Sequence, residues 1–121
     1  MILIDTSIWA DHFGKAIASL AQLVARDEVL QHPFVTGELA LGNPTDRNAL
    51  IAMLDALPQA HVSEWRELLE FAGTHDLGGT GIDYVDAHLL AAAQLHKAEL
   101  WTRDKRLANQ AERLGLAYAP L

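Results

Sequence analysis

The chain opens on an apolar run, Met1-Ile2-Leu3-Ile4, that Asp5-Thr6-Ser7 cuts off at once. Such a run reads as a short strand buried on both sheet faces, and Asp-Thr-Ser is N-cap chemistry for a helix directly after it. The same change from strand to cap recurs near the other end, where residues 98–103 lead into Asp104. A chain that turns from buried strand to capped helix is constrained toward parallel βαβ units, with ligands bound outside the carboxyl ends of the strands.

The segments between follow the same alternation. Ile17, Leu20, Ala21 and Val24 mark an amphipathic helix over 17–25, and Val29-Leu30-Gln31 reads as a second strand. His32-Pro33 ends that strand and starts a helix that carries Glu38 to Gly42. A helix over 47–56 follows the turn Asn43-Pro44-Thr45-Asp46, a third strand is expected over 59–62, and a helix with acidic first-turn residues opens at 63. The longest helix is expected over 84–96, with Val85, Leu89, Ala92 and His96 on one stripe. A strand over 100–102, a helix over 105–114 and a fifth strand over 116–118 complete the reading. The expected fold is α/β: a parallel four- to five-stranded central sheet flanked by helices in three layers. Trp9, Phe13, Trp65, Phe71 and Trp101 fall on apolar stripes and are expected in its core.

Asp5 and Asp104 lie at the carboxyl edge of this sheet, and Glu38 and Asp86 lie on helices that open toward it. Four carboxylates meeting there repel one another, which raises pKa values or recruits a cation. With no cysteine in the chain, the fitting cation is a hard one, Mg²⁺ or Mn²⁺. Each acid also has an ordinary explanation: Asp5, Asp83, Asp86 and Asp104 as helix caps or first-turn acids, Glu38 as a solvated helix residue. Glu38 sits among apolar and small neighbours, Val35 to Gly42, where an unpaired carboxylate is costly to bury. The coincidence of four separate segments at one edge favours a joint site.

The 121 residues suit a single domain, 1–121, with one core. A formal net charge of -7 argues against general attraction to nucleic acid or an anionic membrane, so a nucleic-acid substrate would need bound metal and a local basic patch. Arg103, Lys105 and Arg106 around Asp104 offer such a patch as candidate phosphate contacts. Absent cysteines fit a reducing cytoplasm, and charged residues interrupt every apolar run well short of the roughly 20 residues of a membrane span. The six histidines show no HExxH spacing, and Gly78-Gly79-Thr80-Gly81 lacks the lysine of a phosphate-binding loop, so it reads as a flexible loop.

Taken in order, Ile2-Leu3-Ile4-Asp5-Thr6-Ser7-Ile8-Trp9, Thr36-Gly37-Glu38-Leu39, Asp86-Ala87-His88-Leu89-Leu90-Ala91-Ala92-Ala93 and Trp101-Thr102-Arg103-Asp104-Lys105-Arg106-Leu107 resemble a PIN-domain ribonuclease. Within that group the chain is similar to the VapC toxins of bacterial toxin-antitoxin pairs. The resemblance implies a PIN-like fold and a Mg²⁺ site, with Mn²⁺ as substitute, formed by Asp5, Glu38, Asp86 and Asp104 as catalytic and metal-binding residues. Thr6 and Thr102 would support that site, with Asp83 a secondary candidate. It further implies endoribonuclease activity on RNA that inhibits translation and growth, a homodimer or larger toxin-antitoxin assembly, and a small antitoxin that can push a basic side chain into the acidic pocket. The rival reading is a Mg²⁺-binding phosphoacceptor receiver-like domain without nuclease activity. That class needs paired acids after the first strand and a lysine near the last one, whereas Asp5-Thr6-Ser7 has one acid and Gly115 precedes residues 116–118.

Overall fold

The structure is a computed structural model and describes residues 1–120. Three parallel strands form its sheet in the order β2-β1-β3, with β1 (Ile2–Ile4) between β2 (Val29–Leu30) and β3 (Glu99–Trp101). All three residues of β1 are buried, as expected of a central strand covered on both faces. Around it run α1 (Thr6–Gly14), α2 (Ala18–Ala25), α3 (Pro33–Leu41), α4 (Arg47–Asp55), α5 (Trp65–Thr74), α6 (Tyr84–Leu95) and α7 (Lys105–Arg113). Helix α6 packs against β1, β3 and α5, while α3 packs against α1 and α4.

The sheet has three strands where the sequence predicts four to five. Both missing strands reduce to single bridges, Gln59 beside Gln31 and Ala117 beside Leu100. The first is held by Gln31 N to Pro58 O and Ala60 N to Gln31 O, and it goes no further because the next bond of that ladder would come from residue 33, where Pro33 has no N–H to give. The second is held by Leu100 N to Leu116 O and Tyr118 N to Leu100 O, and the chain then reaches Ala119-Pro120, where proline has no N–H to give.

Burial departs from the periodicity in two more places. Helix α6 buries every residue from Ala87 to Ala93 instead of a stripe, and its expected last stripe residue, His96, is exposed. A run of alanines lets the sheet and α5 approach the helix closely from different sides. Trp9 and Trp101 are in the core as expected, but Phe13 and Trp65 are exposed and Phe71 is only partly buried. Gly37 has open space where a Cβ would stand, so close packing does not explain it.

Candidate metal and catalytic site

Parallel pairing brings residues distant in sequence to one edge. The Asp5 N–H donates to Trp101 O at 3.0 Å, which aligns the end of β1 with the end of β3 and sets Asp5 beside Thr102. Asp5 is buried, and its carboxylate accepts from Thr6 N at 2.8 Å, Ser7 Oγ at 2.9 Å and Thr102 Oγ1 at 2.7 Å. Thr102 Oγ1 in turn accepts the Asp104 N–H at 3.0 Å, and Ser7 Oγ accepts the Arg103 N–H at 3.1 Å. Two hydroxyls thus tie Asp5 to the segment that carries Asp104. Ser7 is a member of this network that sequence reading used only as a cap, although the Asp-Thr-Ser triplet was there to signal it.

Glu38 enters from α3. Its Oε1 accepts from Thr6 Oγ1 at 2.6 Å, so the residue after Asp5 bridges to the second acid. Helix α3 is fixed relative to α1 by a buried chain in which Trp9 Nε1 donates to Gln31 Oε1 at 3.1 Å and Gln31 Nε2 donates to Thr36 Oγ1 at 2.9 Å. Gln31 is fully buried at the end of β2, and its amide satisfies both neighbours.

Asp86 joins from α6 within a capping box, where Asp83 Oδ1 accepts the Asp86 N–H and Asp86 Oδ2 accepts the Asp83 N–H. Its carboxyl is pushed up to about 6, first by burial, then by the negative charges of Asp83, Asp5 and Asp104, while the hydrogen bond from the Asp83 backbone pulls the other way. That influence of Asp5 and Asp104 is the electrostatic mark of acids from three segments sharing one region. Asp104 also caps α7, its Oδ1 accepting from Arg106 N and Leu107 N.

Asp5, Asp86 and Asp104 therefore each have a hydrogen-bond partner within a few residues, whereas Glu38 is held by Thr6 from another helix. Among the described residues, no three His, Asp or Glu side chains are gathered tightly enough to grip a metal ion as they stand. The donor set is all carboxylate and hydroxyl oxygen, which fits a hard divalent cation.

The basic candidates differ in setting. Arg103 Nε pairs with Asp11 Oδ2 at 2.7 Å on the surface. Arg106 has no ion pair among the described residues and passes over Gly81, where a Cβ would meet its Cδ at 2.8 Å and where φ is +87°, so only glycine fits there without strain. Lys105 is exposed. Among the described residues no helix is long and apolar enough to cross a membrane.

A parallel β2-β1-β3 sheet whose carboxyl edge gathers acids on hydroxyl supports is the arrangement of a carboxylate-site α/β domain. The PIN domain family matches residues 2–113 of this chain. The chain belongs to that family. It is 42% identical over 120 residues to Ribonuclease VapC32 of Mycobacterium tuberculosis, in each of two strains, a match spanning 98% of this chain and 97% of the relative. Among solved structures, the fold is similar to FitAcB from Neisseria gonorrhoeae, with a TM-score of 0.62 at 24% identity over 93% of this chain and 94% of that one. It is also similar to PAE2754 from Pyrobaculum aerophilum, with a TM-score of 0.59 at 18% identity over 93% of this chain and 85% of that one. The receiver-like alternative falls with the family match.

Proposed function

We propose that this chain is a metal-dependent endoribonuclease that hydrolyses phosphodiester bonds in RNA and acts as the toxin of a toxin-antitoxin pair, inhibiting translation and growth. The observation that carries this reading is the convergence at the sheet edge: Asp5 is linked through Thr102 to the Asp104 segment, and the charges of both reach Asp86. Near full-length identity to a protein named as a ribonuclease supports the same chemistry. In this reading residues 1–121 form one PIN unit.

Asp5, Glu38, Asp86 and Asp104 hold the divalent cation, Mg²⁺ with Mn²⁺ as substitute. A cation bound there supplies Lewis acidity toward the phosphodiester and makes water a stronger acid near pH 7. Thr6 and Thr102 orient the carboxylates of Glu38 and Asp5, and Asp83 presents Asp86. One carboxylate of the set orients or deprotonates the attacking water, because no other general base stands in this network. Arg103, Lys105 and Arg106 contact RNA phosphates along the rim. The protein works in the cytoplasm, as a homodimer or within a larger assembly with a small cognate antitoxin whose basic side chain pairs with the acids.

Purified protein is expected to cleave RNA in Mg²⁺ and to stop in EDTA. Asp5→Asn keeps a capping side chain and is expected to melt like wild type while losing cleavage. An Asp5→Asn variant that cuts RNA as fast as wild type would sink the assignment.

A further inference from the structure

Beside the acids, on the α1 and α3 side, lies a cavity of about 630 Å³ that none of the roles above uses. Its lining includes Thr6, Ala10 and Phe13 from α1, Glu38 from α3, and Asn43 and Asp46 from the connection to α4. Thr6 and Glu38, hydrogen-bonded to each other, belong to both cavity and acid cluster, so the two spaces are continuous. Ala10 is the small residue one helical turn beyond Thr6 and leaves the floor open. Phe13 closes the far end of that stripe, seven residues or roughly 10.5 Å along the helix from Thr6 at 1.5 Å per residue.

Phe13 is 46% exposed, yet its ring is not without support. It stacks on Trp9 at 5.6 Å between ring centroids and 18° between planes, and Trp9 is buried and pinned by its bond to Gln31. A rigid aromatic face turned into a cavity is what an unpaired nucleobase stacks on. The charge of the walls selects the ligand further. They carry no lysine or arginine to hold a phosphate, and apart from the proposed metal set they present the carboxylate of Asp46, which caps α4 through Oδ1 and can accept hydrogen bonds from amine groups.

We infer that this cavity receives an unpaired RNA base next to the scissile phosphate, stacks it on Phe13, and favours amine-bearing bases over uracil. The inference rests on the nuclease reading above and gives that reaction a specificity pocket.

Sequencing of cleaved ends and steady-state kinetics on short single-stranded RNAs test it, with Phe13→Ala, Phe13→Trp and Ala10→Leu beside wild type. Ala10→Leu fills the floor from an exposed helix position with a good helix former, so it blocks the pocket even if Phe13→Ala were to disturb α1. Loss of one base stack is expected to raise KM by about 5- to 150-fold in Phe13→Ala and Ala10→Leu and to flatten the base preference beside the cut, with kcat at saturation nearly unchanged and Phe13→Trp close to wild type. The same rise is expected in binding of the RNAs to Asp5→Asn carrying either pocket change. Unchanged KM and unchanged base preference in both pocket variants overturn the inference while leaving the nuclease reading intact. Wild type that cuts no RNA in Mg²⁺ overturns the nuclease reading and the inference with it. Pocket variants that cut normally but escape inhibition by the antitoxin identify the cavity as a protein groove and overturn the inference too.

Discussion

Asp86 and His88 stand two residues apart on α6, and both are driven toward their neutral forms. Asp86 is partly buried on the acid-lined edge, where burial and three neighbouring carboxylates push its pKa up to about 6. His88 is almost wholly buried on the far side of that helix turn, against Phe34 at 4.8 Å and Tyr84 at 4.7 Å between ring centroids, and burial lowers its pKa. His32 lies 6.2 Å from it and is lowered to about 4 by burial, then by the charges of His88 and His96. The difference lies in what can relieve the two regions. An acid cluster open to solvent can be neutralised by a cation, whereas a buried imidazole pair among aromatic rings has only the uncharged state available. One region is poised to bind and the other to hold the fold.

The largest expected effect breaks the acid side directly. Asp86→Asn removes a proposed ligand and is expected to slow Mg²⁺-dependent RNA cleavage by more than the roughly 10- to 100-fold typical of residues that only support a ligand. Thr102→Val, which strips a hydrogen bond from Asp5, is expected to fall within that smaller range. Equal losses in the two variants, measured as kcat/KM, would erase the distinction between ligand and support.

Metal should stabilise the acid side alone. At a hundredfold excess of Mg²⁺ or Mn²⁺ over Kd, wild type is expected to gain about 2.7 kcal/mol in urea unfolding, and Asp86→Asn much less. A wild-type transition unmoved by millimolar metal would show that the acids do not act together.

The two regions also oppose each other in pH. His32 is neutral in the fold but charged in the unfolded chain between its lowered value of about 4 and its ordinary 6.5, so it makes stability fall as pH drops through that window. The lowered pKa of His88 acts in the same direction. Asp86 acts oppositely: between its ordinary 3.8 and its raised value of about 6 the folded protein holds a proton that the unfolded chain has lost, so its contribution to stability falls as pH rises. In metal-free protein the two slopes offset each other. Asp86→Asn should therefore steepen the rise of stability with pH between pH 4 and 6. Parallel stability curves for variant and wild type across that range would contradict the raised Asp86.

The smallest effect belongs to the histidine side. Neither ring nitrogen of His88 has a hydrogen-bond partner among the described residues. His88→Leu removes two buried polar atoms and is expected to stabilise the fold by about 1–2 kcal/mol, measured by urea unfolding at pH 7. A loss of stability would mean that the imidazole has a polar role in the core.

Local chemistry was legible in the sequence because it is settled within a few residues. Asp5, Asp46, Asp83 and Asp104 each accept from the first turn of the helix they precede, and Pro33 starts α3 where its missing N–H does no harm. The sites of all three strands and all seven helices could be read in the same way. What the sequence could not decide by itself depends on who stands beside whom. The bond from Thr102 to Asp5 spans 97 residues and exists because β3 lies beside β1 in the order β2-β1-β3, which no local pattern specifies. The two outer strands looked like strands but found only one-residue bridges, since pairing needs a partner along the whole length and the ladders run into Pro33 and Pro120, which have no N–H to give. Apolar periodicity marked Phe13 and Trp65 for the core, yet periodicity tells which residues share a face and not whether another element covers it. The fold covered Trp9 and left Phe13 exposed in the wall of the cavity, because burial is decided by packing between elements and not within them.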